Sequence, residues 1–168
     1  MKNKISINSE VSLVEIIISI LIFAIAGAVM LNCFGSARFA QMKANDKVEA
    51  GNKVQSIAEM IRSFDTSIEA DEYLAENFRL LKTTENEKVY VVFYDKYWKL
   101  CMEGNEEINN EYFITVKTST AFADSGELKQ FVITSEKIKP YAFINTDKET
   151  SKLYEIETKK FFLSYAGR

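Results

Sequence analysis

The chain contains no histidine. That one absence removes Ser-His-Asp and Cys-His catalysis, histidine zinc sites and histidine-based pH switching. Proline occurs once, at Pro140, and cysteine twice, at Cys33 and Cys101. Two distant thiols are not the framework that staples a small secreted domain, so they are expected to be unpaired and buried as small hydrophobes. The six glycines are scattered and form neither G-x-G-x-x-G nor G-K-[ST], which excludes a phosphate-cradling loop. EF-hand ligand spacing is also missing. Cationic excess is missing too: 21 Lys plus Arg against 24 Asp plus Glu leave a net charge of -3. That balance fits poorly with gripping a phosphate backbone, so no direct nucleic-acid contact is expected. No metal and no cofactor are expected.

What remains is 168 residues, 47% hydrophobic and 27% charged, enough for one ordinary domain and an appendage. The hydrophobic residues are unevenly placed. Met1–Glu10 is polar and carries Lys2 and Lys4; Val11-Ser-Leu-Val-Glu15 follows, and then the apolar run Ile16–Phe34. From Val11 to Phe34 the only ionisable side chains are Glu15 and the Cys33 thiol. As a helix these roughly 24 residues span about 36 Å, enough to cross a hydrocarbon core of about 30 Å. The run is apolar all round, as a membrane helix is. It is too long for a signal-peptide core, and Asn32-Cys33-Phe34 offers no small-residue cleavage site after it.

Glu15 stands out in this segment, because a carboxylate at the centre of a span costs about 2.5–3.5 kcal/mol and less near an end. Near the interface it can reach water or take up a proton. It can also pair with a buried cation, and apolar neighbours offer only the free α-amine of another copy's helix. That pairing requires removal of the residues before Val11.

The S-L-V-E sequence, the Lys-bearing leader and the apolar continuation resemble the processing and assembly motif of type IV prepilins and pseudopilins. The likeness is strongest to minor pilins and minor pseudopilins, and it covers Lys2 to about Ser36. It implies a leader over residues 1–10, cut by a prepilin peptidase between Glu10 and Val11. It further implies N-methylation of Val11, an assembly role for Glu15 against a neighbouring subunit's amine, and other pilin or pseudopilin subunits as partners. Glu10 stands where the family has glycine, and the first glycine of the chain is Gly27. The family's proline further along the helix is absent, with Asn32 nearby.

Downstream, residues 36–65 keep helical spacing. Val54, Ile57, Ala58, Ile61, Phe64 and Ile68 form an apolar stripe, so one helix is expected from about Val11 to about Phe64. Gly27, Gly35 and Gly51 would soften this one helix, whereas a break near Gly35 would divide it in two. Thr66-Ser-Ile-Glu69 has capping-box spacing, and Tyr73, Leu74, Phe78 and Leu81 extend a second helix to about Leu80. From Lys88 the period becomes two. Four runs read as strands: Lys88–Tyr94, Tyr97–Met102, Glu111–Ser119 and Leu128–Ser135. Turn-like Asp95-Lys96, Gly104-Asn105 and Asp124-Ser-Gly126 separate them, Pro140 closes the fourth, and LYEIE with KFFLS suggests a final hairpin. The uncharged run VYVVFY would aggregate at an open edge and is therefore expected to be a central strand.

The expected fold is α+β: a long N-terminal helix with a membrane-spanning first half (11–35), an amphipathic continuation (36–65), and a globular domain (66–168) with an antiparallel sheet. The acidic pairs Asp71-Glu72 and Glu106-Glu107 read as solvated surface. Half of the aromatics Tyr90, Phe93, Tyr94, Tyr97 and Trp98 belong in a core by alternation. No nucleophile–base pair is visible, so no enzyme is expected. The function implied is that of a structural minor pilin or pseudopilin in a pilus-like, secretion or competence filament. It would be held by one span in the cytoplasmic membrane with the C-terminal domain outside, and would pass to the cell surface on assembly. A second reading is an uncleaved, single-pass anchored binding domain that never polymerises. Charge leaves orientation open, since Lys2 and Lys4 precede the span while Arg38, Lys43 and Lys47 follow it.

Overall fold

The structure, a computed structural model, describes residues 13–84, 86–101, 110–139, 141 and 150–163. The chain divides into two compact units, Met1–Ala44 and Asn45–Arg168. One helix, α1 (Leu13–Ser63), runs through 51 residues without interruption, so the glycines do not divide it. Val11 and the leader lie outside the described residues.

In the first unit, the large apolar side chains of α1 are all exposed from Leu13 to Phe34. In the second unit α1 becomes one-sided. Ala50, Val54, Ile57, Ala58 and Ile61 are buried, at the 3- and 4-residue steps that keep side chains on one helix face. Val54 and Ile61 are fully buried, and each contributes roughly 1.5–3 kcal/mol by leaving water. The Lys160 ammonium closes the helix by donating to the carbonyls of Arg62, over 2.6 Å, and of Phe64. It thereby occupies acceptors that the last turn leaves free.

Helix α2 (Ser67–Asn77) starts with the expected capping box. The Glu69 amide donates to the Thr66 hydroxyl over 3.2 Å, and the Thr66 amide donates back to the Glu69 carboxylate over 3.3 Å. Ala70 and Leu74 are buried, but Ile68, assigned to the stripe, is exposed. The helix is shorter than its periodicity suggests. Phe78 turns extended and donates its amide to Leu74, and β1 (Arg79–Thr83) follows where helix was expected. Leu80 and Leu81 imitate helical spacing but are exposed on this edge strand.

The sheet has five antiparallel strands in the order β1-β2-β3-β4-β5. The remaining members are β2 (Glu87–Tyr94), β3 (Tyr112–Ala123), β4 (Gly126–Lys137) and β5 (Ser151–Leu163). Alternation fills the face covered by α1: Tyr90 sits opposite Val116, Val116 opposite Ile133, and Ile133 opposite Ile156. Contacts with α1 follow the same face. Gly51 lies against the Tyr154 ring, and the Arg62 Nε donates to the Thr158 hydroxyl over 2.8 Å. The VYVVFY run falls in β2, an interior strand, as its aggregation risk demands.

Asp124-Ser125 makes a two-residue turn between β3 and β4, and Gly126 beside it has no room for a side chain. A Cβ there would collide with the Phe162 carbonyl oxygen.

Two further expectations are corrected. The described part of the Tyr97–Met102 run, Tyr97–Cys101, is no strand: the Asp95 carboxylate accepts from the amides of Tyr97 and Lys99, over 2.8 and 2.9 Å, and folds the chain into a turn. An isolated bridge joins Leu100 to Tyr94, the Cys101 amide donates to the Phe93 carbonyl over 3.0 Å, and Met102 lies outside the described residues. The final hairpin is instead one continuous strand, since Glu157-Thr158-Lys159 stay paired to Gln130–Val132 with no residue that favours a turn. Gly104-Asn105, Glu106-Glu107 and Pro140 lie outside the described residues.

Candidate functional site

The candidate site is the first stretch of α1. Leu13 to Phe34 measures about 33 Å along the axis and carries apolar side chains on every side. Phe23 is 82% exposed and Leu31 74%. Isolated exposed leucines are ordinary, but a continuous apolar surface of this length marks contact with lipid or with other proteins. The helix is long and apolar enough to cross a membrane, and none of that stretch is buried.

Glu15 lies in the first turn of α1, where the helix dipole favours a carboxylate. Its backbone carbonyl accepts from the Ser19 hydroxyl over 2.8 Å, and Glu15 and Ser19 lie one turn apart on the same helix face. The Glu15 carboxylate makes no ion pair with any described residue. Glu10 and Val11, the positions of the implied cleavage and methylation, lie outside the described residues.

Both cysteines are unpaired, but neither is buried: Cys33 is exposed on α1, and Cys101 is partly exposed. The correction for Cys33 is physical, because a helix apolar all round has no interior side within its own unit.

Two charged clusters in the second unit went unread in the sequence. Lys137 on β4 is 7% exposed. Its ammonium meets Glu111 at 2.6 Å, the Tyr112 hydroxyl at 3.0 Å and Asp46 at 3.5 Å, beneath the rings of Tyr112 and Tyr141. Trp98 stacks on Tyr112 with centroids 4.2 Å apart. Trp98 has a φ of 61°, rare for a bulky side chain, and its buried indole N–H has no partner among the described residues. Burial, then the nearby Asp46 and Glu111 charges, push the Tyr112 and Tyr141 hydroxyls far above their ordinary range.

The second cluster joins α2 to the sheet. Asp71 pairs with Lys129 at 2.7 Å and with Lys88 at 2.9 Å, beside a cavity of about 230 Å³. Burial opposes ionisation of Asp71, yet the two lysines outweigh it and hold the carboxyl below its usual range. Asp71 is therefore not the solvated acid its sequence context suggests, whereas Glu72 is exposed. Both clusters fasten helices to the sheet, and neither pairs a nucleophile with a base. The signal was available in part: alternation along β4 sets Lys129, Phe131, Ile133, Ser135 and Lys137 on one buried face.

Of the aromatic group, Tyr90, Tyr94 and Trp98 are buried, Phe93 is partly exposed and Tyr97 is exposed. Among the described residues no group of three or more Cys, Asp or Glu could hold a metal ion.

The chain matches no protein-family model, no curated protein and no solved structure.

Proposed function

We propose that the chain is a structural minor pilin or pseudopilin: a subunit held in the cytoplasmic membrane by α1, its C-terminal domain outside, and drawn into a filament by that helix. The observation that carries this reading is the pairing of an apolar surface exposed from Leu13 to Phe34 with one carboxylate, Glu15, in its first turn. A filament core of bundled helices would cover the surface. The α-amine of Val11 in a neighbouring subunit would neutralise the acid once residues 1–10 are removed. The amphipathic second part of α1, seated on an antiparallel sheet, is the architecture such a subunit needs. Sister subunits and a prepilin peptidase are the partners of this reading, and the chain itself performs no catalysis.

Glu15→Gln tests the mechanism, since it keeps the shape and removes the charge. The variant should insert into membranes as the wild type does and fail to enter filaments sheared from cells. Filament incorporation at the wild-type level refutes the role of Glu15. Glu10, in the place of the family's glycine, favours the second reading of an uncut, membrane-anchored binding domain.

A further inference from the structure

The sequence carries cations directly after the apolar run, and subunit assembly through Glu15 gives them no task. From Ile16 to Asn45 there is no acidic side chain. Within the first unit the charged residues that follow the run are Arg38 and Lys43, the former exposed and the latter partly so.

Their height above the run is set by helix geometry. Arg38 is four residues beyond Phe34, about 6 Å along the axis, and Lys43 is nine residues beyond, about 14 Å. The headgroup layer on each side of a bilayer is roughly 5–8 Å thick. Side chains on a helix lean toward its N-terminus, which here is toward the apolar run. Arg38 therefore falls within the headgroup layer, and the long Lys43 side chain reaches back toward it while its ammonium stays wet.

Their angular placement matters as much. Five residues apart, Arg38 and Lys43 lie about 140° apart around the helix. A partner protein touching one face would meet one of them, whereas a headgroup layer surrounds the helix and meets both.

We infer that Arg38 and Lys43 form a collar that binds anionic phospholipid headgroups of the leaflet on the C-terminal domain's side. This inference rests on the reading of Leu13–Phe34 as a membrane span. Each cation near an anionic surface contributes about 1 kcal/mol, or roughly a five-fold preference. The collar holds the span at one depth.

The test uses the full chain, purified in detergent and offered phosphatidylglycerol or phosphatidylcholine of equal chain length, with bound lipid counted by native mass spectrometry. The wild type should retain phosphatidylglycerol preferentially, with the preference falling about five-fold for Arg38→Gln or Lys43→Gln and about 25-fold in the double variant. Equal retention of the two lipids, or a preference unchanged in the double variant, overturns the collar. Alkaline carbonate extraction of native membranes is run in parallel. A chain that stays in the membrane but shows no lipid preference sinks the collar alone, and a chain that is extracted sinks the span and the collar with it.

Discussion

The Tyr141 hydroxyl donates to the Asp46 carboxylate over 2.6 Å, and the same carboxylate faces the buried Lys137 ammonium at 3.5 Å. Asp46 precedes Ala50, the first fully buried residue of α1, by one turn. The helix is thus tied to the sheet by charge before its apolar stripe begins.

Asp46→Ala removes one of two carboxylates from a lysine with nowhere to go. Breaking a buried pair from one side costs about 3–5 kcal/mol, and Glu111 at 2.6 Å retains part of the compensation. The expected loss is about 2–3 kcal/mol. The chain has a single tryptophan, Trp98, stacked on Tyr112 beside this cluster. Its fluorescence during denaturant unfolding of the full chain in detergent reads the loss directly. A change below about 0.5 kcal/mol would place the cluster among surface pairs.

Alkaline pH attacks the same region. Burial pushes the Tyr94 hydroxyl up to about 12 from an ordinary 10. Tyr112 and Tyr141 are shifted the same way. A group whose pKa is raised by folding gives its stability in full below the unfolded value and loses it as pH climbs through the folded one. Stability should therefore fall steeply from about pH 10 upward. Lys88, raised by its hydrogen bond to Asp71, adds to the fall in the alkaline range. Asp71 works at the other end: its lowered pKa means stability lost as pH drops below the ordinary 3.8. Tyr94→Phe should flatten the alkaline limb and leave the acidic limb unchanged. Identical alkaline limbs in the two proteins would contradict the burial of that hydroxyl.

Gly126 admits no side chain, because a Cβ would meet the Phe162 carbonyl oxygen and the Phe161 ring. Gly126→Ala must push β5 away from β4 at the turn or distort the turn itself. The expected cost is on the order of 1–3 kcal/mol, measured by the same unfolding signal. Amide exchange should quicken first at Phe161–Leu163, and uniform exchange across β4 and β5 would argue against a local clash.

The sequence was readable wherever one local pattern decided the outcome. The 51-residue helix, the capping box at Thr66, the turn at Asp124-Ser125 and the interior position of β2 all follow from spacing within a few residues. The misreadings come where two patterns overlap. Leu80 and Leu81 continue a helical recurrence, but Phe78 has already left the helix, and pairing with Val89–Val91 takes over. Tyr97–Met102 has strand composition, and the Asp95 carboxylate folds Tyr97–Lys99 into a turn. The lysine clusters depend on partners far apart in the chain. Nothing near Lys137 in sequence announces Asp46, and nothing near Lys129 announces Asp71. Of the candidate site, the apolar run and the position of Glu15 were legible, because they depend on composition and on one residue's place within it.

The central claim is that residues 1–10 are trimmed and that the new end at Val11 faces a neighbour's Glu15. Intact mass and N-terminal peptide mapping of the chain, extracted from membranes of cells with an active prepilin peptidase, test this most directly. The account predicts a chain beginning at Val11 with one added methyl group on its amine. A chain that still begins at Met1 and carries no methyl group contradicts it.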